Sequence, residues 1–345
     1  MKNYFKYLIS FALAALLGTT VFIGCAVDNS DPGNAPQQSI VTQEELAPAI
    51  DVQERHMKEL MAIDGVNGTG VGVDDAGTPI IYVFTLREGV AGIPASVEGI
   101  DTRTEFIGEV KALAGGGNNK GFKGTYRSPM WSGVSVGNAN ECAAGTIGCV
   151  VKKNVEGTDH FFLLSNNHVF ARENAASLNE IIGQPGRYDN NCAVAGAVAN
   201  LSQFIPIVFS GSNTCDAAIA EIANGITYTS RMANNSYMPS ATTQNAAVNM
   251  TVKKTGRTTG LTTGRVGAVN VSVNVGYDGG VANFIGQVYV KTAGFCAAGD
   301  SGSLIVESAT NRPVSLLYAG SQSGATFGNP INAVLNAFGV TISAN

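Results

Sequence analysis

From Trp131 onward the chain is a succession of short β-rich runs separated by Gly, Asn and Thr turns, and that rhythm limits the fold more than any other feature. The runs are Gly148 to Lys152, His160 to Leu164, Ala193 to Phe204, Ala217 to Ile222, Gly264 to Val275, Phe284 to Lys291, Ser303 to Val306 and Val314 to Ala319. Many short strands with no helix between them predict an all-β barrel or sandwich. A single helix is predicted at the end. Asn329 caps it, Pro330 suits its first position, Ile331, Val334, Leu335 and Phe338 form an apolar stripe, and Gly339 stops it.

Three short phrases then carry chemistry: Ser165-Asn166-Asn167-His168-Val169, Asp216-Ala217-Ala218-Ile219-Ala220 and Gly299-Asp300-Ser301-Gly302-Ser303. A serine hydroxyl is a weak nucleophile at neutral pH. It needs an imidazole to take its proton and a buried carboxylate to hold that imidazole's tautomer and stabilise its cation. The chain has 3 histidines, so the choice of base is short. His56 lies among charged residues and His160 lies beside Phe161 and Phe162, whereas His168 follows a polar step at the end of an apolar strand, where a side chain faces a cleft. Asp216 precedes an apolar run that draws its carboxylate inward, where a histidine N–H is a suitable partner. Gly299 and Gly302 permit the tight backbone that exposes the Ser301 hydroxyl and aims N–H groups inward.

This order of His, Asp and Ser, with the phrases Leu-Ser-Asn-Asn-His-Val, Asp-Ala-Ala-Ile-Ala, Lys-Thr-Gly-Arg-Thr-Thr-Gly and Gly-Asp-Ser-Gly, resembles a bacterial branch of the chymotrypsin-like serine proteases over residues 129–345. The resemblance implies two six-stranded barrels with the active site in the crevice between them. It implies an acyl-enzyme on Ser301, His168 as general base, Asp216 as orienting carboxylate, and an oxyanion hole from the N–H groups of Gly299 and Ser301. No cofactor is implied, and the partner is a protein or peptide substrate. The S1 pocket maps onto Phe295, Cys296, Ala297, Ala298, Tyr318, Ala319, Gly320 and Ser321. None of these is acidic, so an uncharged, small or medium P1 side chain is expected in place of Lys or Arg. Some bacterial relatives hold the Asp of Gly-Asp-Ser-Gly with an internal basic residue, which maps here onto Lys254 facing Asp300. Two positions depart from the pattern: Ser303 replaces a commoner Gly, and Ala319 stands where many relatives carry a Ser that supports the triad carboxylate.

The beginning of the chain reads differently. Lys2 and Lys6 precede an apolar run from Leu8 to Ile23, which ends at Gly24-Cys25. That pattern predicts a lipoprotein-type signal over residues 1–25 with lipid attachment at Cys25, and so an exported protein anchored in a bacterial cell envelope. The run is about 16 residues, short for a bilayer span. Residues 26–42 are polar and Pro-containing, as in a flexible tether. Residues 43–113 are expected to form a small α/β domain: a helix from about Pro48 to Ala62, strands at Gly68 to Val73 and Pro79 to Thr85, and another strand or two within Ser96 to Lys111. It is similar to the leader domains that precede many members of the same branch. Residues 114–128 open on Ala-Gly-Gly-Gly-Asn-Asn-Lys-Gly and are expected to be a linker.

Five cysteines follow Cys25, an odd number for an exported protein. Cys142 and Cys149 flank a possible tight turn and are paired, as are Cys192 and Cys215, which leaves Cys296 as a packed thiol. A net charge of −5 gives no basic patch for nucleic acid. There is no His-Glu-x-x-His and no Cys-x-x-Cys, so no metal site is read. Gly256 to Gly260 lacks the ending of a phosphate loop and is read as a barrel turn. Two rival readings remain: a surface binding protein that keeps the protease fold without catalysis, and an esterase with the same acyl-enzyme chemistry.

Overall fold

The structure is a computed structural model that describes residues 38–113 and 121–344. Cys25, the signal, the tether up to residue 37 and the Gly-rich part of the linker lie outside the described residues.

Residues 135–222, joined by Thr341–Ile342, curl into one antiparallel sheet whose order is Thr341–Ile342, Cys149–Val155, Thr158–Ser165, Ala218–Ile222, Gly196–Phe204, Ile181–Gln184, Ser135–Asn138, Gly145–Thr146. The Gly148 N–H donates to the Leu164 carbonyl and the Ile147 N–H to that of Val134, which bends the end of the sheet back on its beginning. Inside the curl pack Val136, Val150, Leu163, Ile182, Val198 and Leu201, supplied by alternate residues of each strand.

The second barrel closes as a ring. Gly280–Lys291, Ala325–Pro330, Pro313–Ser321, Leu304–Glu307, Thr251–Gly256 and Gly260–Tyr277 pair in turn, and Gly260–Tyr277 pairs again with Gly280–Lys291. These two curled sheets are the expected chymotrypsin-like double barrel. The terminal helix, Ile331–Phe338, buries Ile331, Val334, Leu335 and Phe338, and Gly339 ends it at φ 64°. Asn329 is not its cap. It belongs to the strand Ala325–Pro330, where barrel pairing outweighs a local capping preference, and its side chain turns toward Asp216.

Residues 43–113 do not stand apart as a separate α/β domain. The strand Gly260–Tyr277 is 18 residues long and outruns its partner Thr251–Gly256, which covers it only up to Arg265. Val66–Val73 takes the edge left bare, with Gly68 opposite Val273 and Val71 opposite Val269. Pro79–Thr85 and Ile100–Phe106 extend the same sheet outward. A free edge of unpaired N–H and C=O groups is costly, and this addition satisfies it. The helix Ala47–Met61 lies over these strands through Ala49, Val52 and Leu60, and its buried Gln53 donates to Thr69 Oγ1 at 2.7 Å. Ile50 and Met57 are only half-buried.

Nor are residues 121–128 a free linker. Tyr126 N–H donates to Gln184 Oε1 at 2.8 Å, and Gln184 Nε2 donates to the Gly124 carbonyl at 2.9 Å. A Cβ on Gly121 would lie 2.0 Å from the Arg257 carbonyl oxygen, so only glycine fits there.

Candidate active site

His168 follows the strand Thr158–Ser165, on the short helix Asn167–Phe170. Asp216 enters the strand Ala218–Ile222, which pairs with Thr158–Ser165 so that Ser165 faces Ala218. That register brings the two side chains together: His168 Nδ1 is 2.5 Å from Asp216 Oδ2, and both are buried. The second carboxylate oxygen accepts the His168 backbone N–H at 3.2 Å. Asn166 Nδ2 donates to the Asp216 carbonyl at 2.7 Å, and Asn329 Oδ1 accepts the Asp216 N–H at 3.1 Å. A desolvated carboxylate needs such partners, and here every side of the residue is held.

Tyr277 is the residue that sequence reasoning missed. Its hydroxyl donates to Asp216 Oδ2 at 2.9 Å, and its ring meets the His168 ring edge-on at 6.1 Å between centroids. Burial, and then the Asp216 carboxylate, push its ionisation well above the ordinary phenol range, so it stays a donor. It supplies the support to the carboxylate that Ala319 lacks. Its signal in the sequence is only an aromatic residue at the end of a long strand.

Ser301 comes from the second barrel but is clamped by the first. Thr146 N–H donates to the Ser301 carbonyl at 2.8 Å, and Thr146 Oγ1 donates to the Gly299 carbonyl at 2.9 Å. Gly302 has φ 89°, and a Cβ there would be 2.2 Å from Ser165 Oγ. Ser301 Oγ donates to the Tyr318 carbonyl at 3.2 Å, while His168 Nε2 is buried with no hydrogen-bond partner. The hydroxyl is thus bonded to the backbone and not to the imidazole in this arrangement.

Asp300 holds the turn. Lys254 Nζ is 3.0 Å from Asp300 Oδ2, with both side chains fully buried. Thr258 N–H donates to Asp300 Oδ1 at 2.8 Å, and Ala297 N–H and Thr259 Oγ1 donate to Oδ2 at 3.0 and 2.7 Å. A bonded carboxylate at the centre of the turn fixes the peptide planes of Gly299 and Ser301. Ser303, the second departure from the pattern, donates to the Asp300 carbonyl at 2.6 Å and closes the same turn. The Gly256–Gly260 turn is bound to the first barrel through Arg257, which pairs with Asp189, and Asp189 accepts from Ser135 Oγ at 2.6 Å.

Of the eight residues mapped to the S1 pocket, Cys296, Ala297, Ala298, Gly320 and Ser321 line a cleft. Phe295, Tyr318 and Ala319 do not; all three are buried in the barrel, with Tyr318 packed on Phe284 at 4.8 Å between ring centroids. Phe295 lies in the loop after Gly280–Lys291, and the strand Pro313–Ser321 is buried at both Tyr318 and Ala319, where its register shifts. Cys296 Sγ contacts Thr326 Oγ1 at 2.9 Å, and burial pushes its thiol up to about 11.

The cysteine pairing differs from the expected one. Cys142 is bonded to Cys192, with Cα atoms 5.0 Å apart. Residues 143–148 are not a tight turn: Gly145 and Thr146 form an edge strand opposite Val136 and Ser135, which carries Cys149 away into the core. Cys149 and Cys215 are free and buried in one hydrophobic cluster. Among the described residues no group of His, Cys, Asp and Glu is arranged to hold a metal ion.

No family model matches this chain, and no curated protein does. Solved structures similar to it include bacterial serine proteases. A glutamic acid specific serine protease is 20% identical, over 62% of this chain and 100% of its own, with a TM-score of 0.46. Thermobifida fusca Protease A is 20% identical over 63% and 100%, with a TM-score of 0.45. Cellulomonas bogoriensis chymotrypsin is 18% identical over 62% and 98%, with a TM-score of 0.43.

Proposed function

We propose that this chain is a serine endopeptidase that hydrolyses peptide bonds through an acyl-enzyme on Ser301. The observation that carries the reading is the buried 2.5 Å contact of His168 Nδ1 with Asp216 Oδ2, beside a serine whose flanking turn is built around a bonded carboxylate. With Nδ1 committed to Asp216, the other ring nitrogen is left as the proton acceptor. Ser301 Oγ rotates toward Nε2, loses its proton to it and attacks the substrate carbonyl. The N–H groups of Gly299 and Ser301 receive the developing oxyanion, and the imidazolium returns its proton to the leaving amine. Water repeats the sequence on the acyl-enzyme. No cofactor enters, and the substrate is a protein or peptide.

The bond from Ser301 Oγ to the Tyr318 carbonyl favours one alternative, a binding protein that keeps the fold without catalysis. A fluorophosphonate probe separates the two. An activated serine is labelled at Ser301, and labelling is lost in His168→Ala. Labelling that persists unchanged in His168→Ala would count against the triad. An esterase is set apart by comparing casein with a small ester as substrates.

Export and lipid attachment at Cys25 belong to the same proposal, resting on the apolar run that ends at Gly24-Cys25. Radioactive palmitate is expected to label the unmodified chain and not Cys25→Ser.

A further inference from the structure

The cleft beside Ser301 is occupied by the chain itself. Val110–Ala112 pairs antiparallel with the strand Pro313–Ser321, Ala112 opposite Ala319, Lys111 opposite Gly320 and Val110 opposite Ser321. On its other side Lys111 pairs with Gly276, next to Tyr277. The next residue continues the register: Leu113 N–H points to the Tyr318 carbonyl at 3.4 Å, and the Leu113 carbonyl accepts the Gly299 N–H at 2.5 Å. That N–H belongs to the cradle assigned above to the oxyanion. A Cβ on Gly320 would meet Leu113 Cδ1 at 3.1 Å and Cys296 Sγ at 3.0 Å, so the leucine side chain lies against the cleft wall that Gly320 and Cys296 form.

We infer that Val110–Leu113 is a built-in occupant of the substrate strand, which holds the site closed to other peptides, and that Leu113 marks S1 as a pocket for a leucine-sized apolar side chain. The inference rests on the acyl-transfer reading of Ser301 for its meaning as substrate mimicry. Three features make the occupancy stable. Val110 is buried among Tyr82, Phe84 and Tyr318. The Ile107 and Gly108 N–H groups both donate to the Thr85 carbonyl, at 3.0 and 3.1 Å, and Ser323 Oγ donates to the Ile107 carbonyl at 2.7 Å. Finally, the segment is joined to strands that share the barrel's own sheet. A tethered occupant acts at an effective concentration on the order of millimolar, which an incoming peptide must exceed.

The apolar preference follows from the wall. Cys296, Ala297, Ala298 and Gly320 offer no charge, and the Cys296 thiol is engaged by Thr326. The charged residues of the cleft, Glu109 and Lys111, lie in or next to the occupying stretch and pair with each other at 3.0 Å. A lysine or aspartate at P1 would lose its hydration there without a partner.

The test uses the full chain, Leu113→Asp, which places a charge in the apolar cleft, and Lys111→Pro, which removes a ladder N–H and leaves S1 intact. A fluorescent Val-Lys-Ala-Leu peptide is expected to bind each variant at least tenfold more tightly than the unmodified chain, and fluorophosphonate labelling of Ser301 is expected to accelerate by a similar factor. In the opened variants, peptides with Leu at P1 are expected to be cleaved with at least tenfold higher kcat/KM than those with Lys or Asp. Equal peptide binding by all three folded chains, checked by thermal melting, overturns the occupancy. Preference for Lys or Asp at P1 overturns the assignment of S1. If the variants bind peptide tightly but none is labelled, the occupancy stands and the acyl-transfer reading of Ser301 falls.

Discussion

Tyr277 Oη and His168 Nδ1 converge on one oxygen, Asp216 Oδ2, at 2.9 and 2.5 Å. Two donors on one buried oxygen fix the carboxylate plane, and so the direction of the imidazole, from opposite barrels. Tyr277→Phe removes one donor and keeps the ring that packs on Phe284. A hydrogen bond to a charged group contributes about 1.5 to 3 kcal/mol, so kcat is expected to fall at least tenfold with KM nearly constant. A change in KM alone would place Tyr277 in substrate binding instead.

Lys254 and Asp300 form an ion pair with no exposed surface. Removing one member of a buried pair costs about 3 to 5 kcal/mol because the remaining charge is left uncompensated. Lys254→Met is therefore expected to lower the melting temperature sharply and to abolish labelling of Ser301. Lys253 is the internal control: its Nζ donates to the Ser308 carbonyl at 2.9 Å and lies over the Tyr237 ring, away from the Asp300 turn. Equal and minor effects of Lys254→Met and Lys253→Met would sink the idea that this pair organises the turn.

The Cys142–Cys192 bond closes a loop with a sequence separation of 50. By the chain-entropy relation such a loop contributes about 4 kcal/mol. Non-reducing peptide mapping is expected to return a crosslink between the peptides carrying Cys142 and Cys192, and none between Cys142 and Cys149. Replacing both bonded residues with Ala should lower stability by up to that amount while leaving the His168–Asp216 contact in place.

What the sequence made legible was local, and what it hid was contributed by distant chain. Pro79–Thr85 is bounded by turn residues, and its limits follow from them. Gly260–Tyr277 runs past the expected Val275 because Gly276 pairs with Val281 and with Lys111, and Tyr277 with Gly280; the Lys111 pairing is one that no local pattern announces. Asn329 shows the competition openly: the Asn-Pro step resembles a helix start, yet the Asp216 N–H and Gln287 Oε1 claim the side chain. The phrases around His168, Asp216 and Ser301 were readable because a tight turn and a buried polar step each leave a compositional mark. Tyr277, 61 positions from Asp216, leaves none. The cysteine pairing is not legible locally, because Cys142 and Cys149 are near in sequence but the chain between them is extended.

The free thiols give a prediction about alkaline pH. Burial raises Cys149 from the ordinary value near 9 to about 12, and Cys215 and Cys296 to about 11. A folded value above the unfolded one means that the folded chain holds protons the unfolded chain has released. Stability from these groups is therefore complete below about pH 9 and is lost as pH rises toward 11 to 12. Cys149 and Cys215 share one apolar cluster with Leu164 and Leu316, so ionising either one places a charge in that core. Cys149→Ala with Cys215→Ala is expected to cost some stability at neutral pH through lost packing, and to flatten the decline above pH 9. Melting temperatures recorded for both chains from about pH 7 to about pH 11 decide it. Curves that fall in parallel would show that other groups, and not these two thiols, govern the alkaline loss.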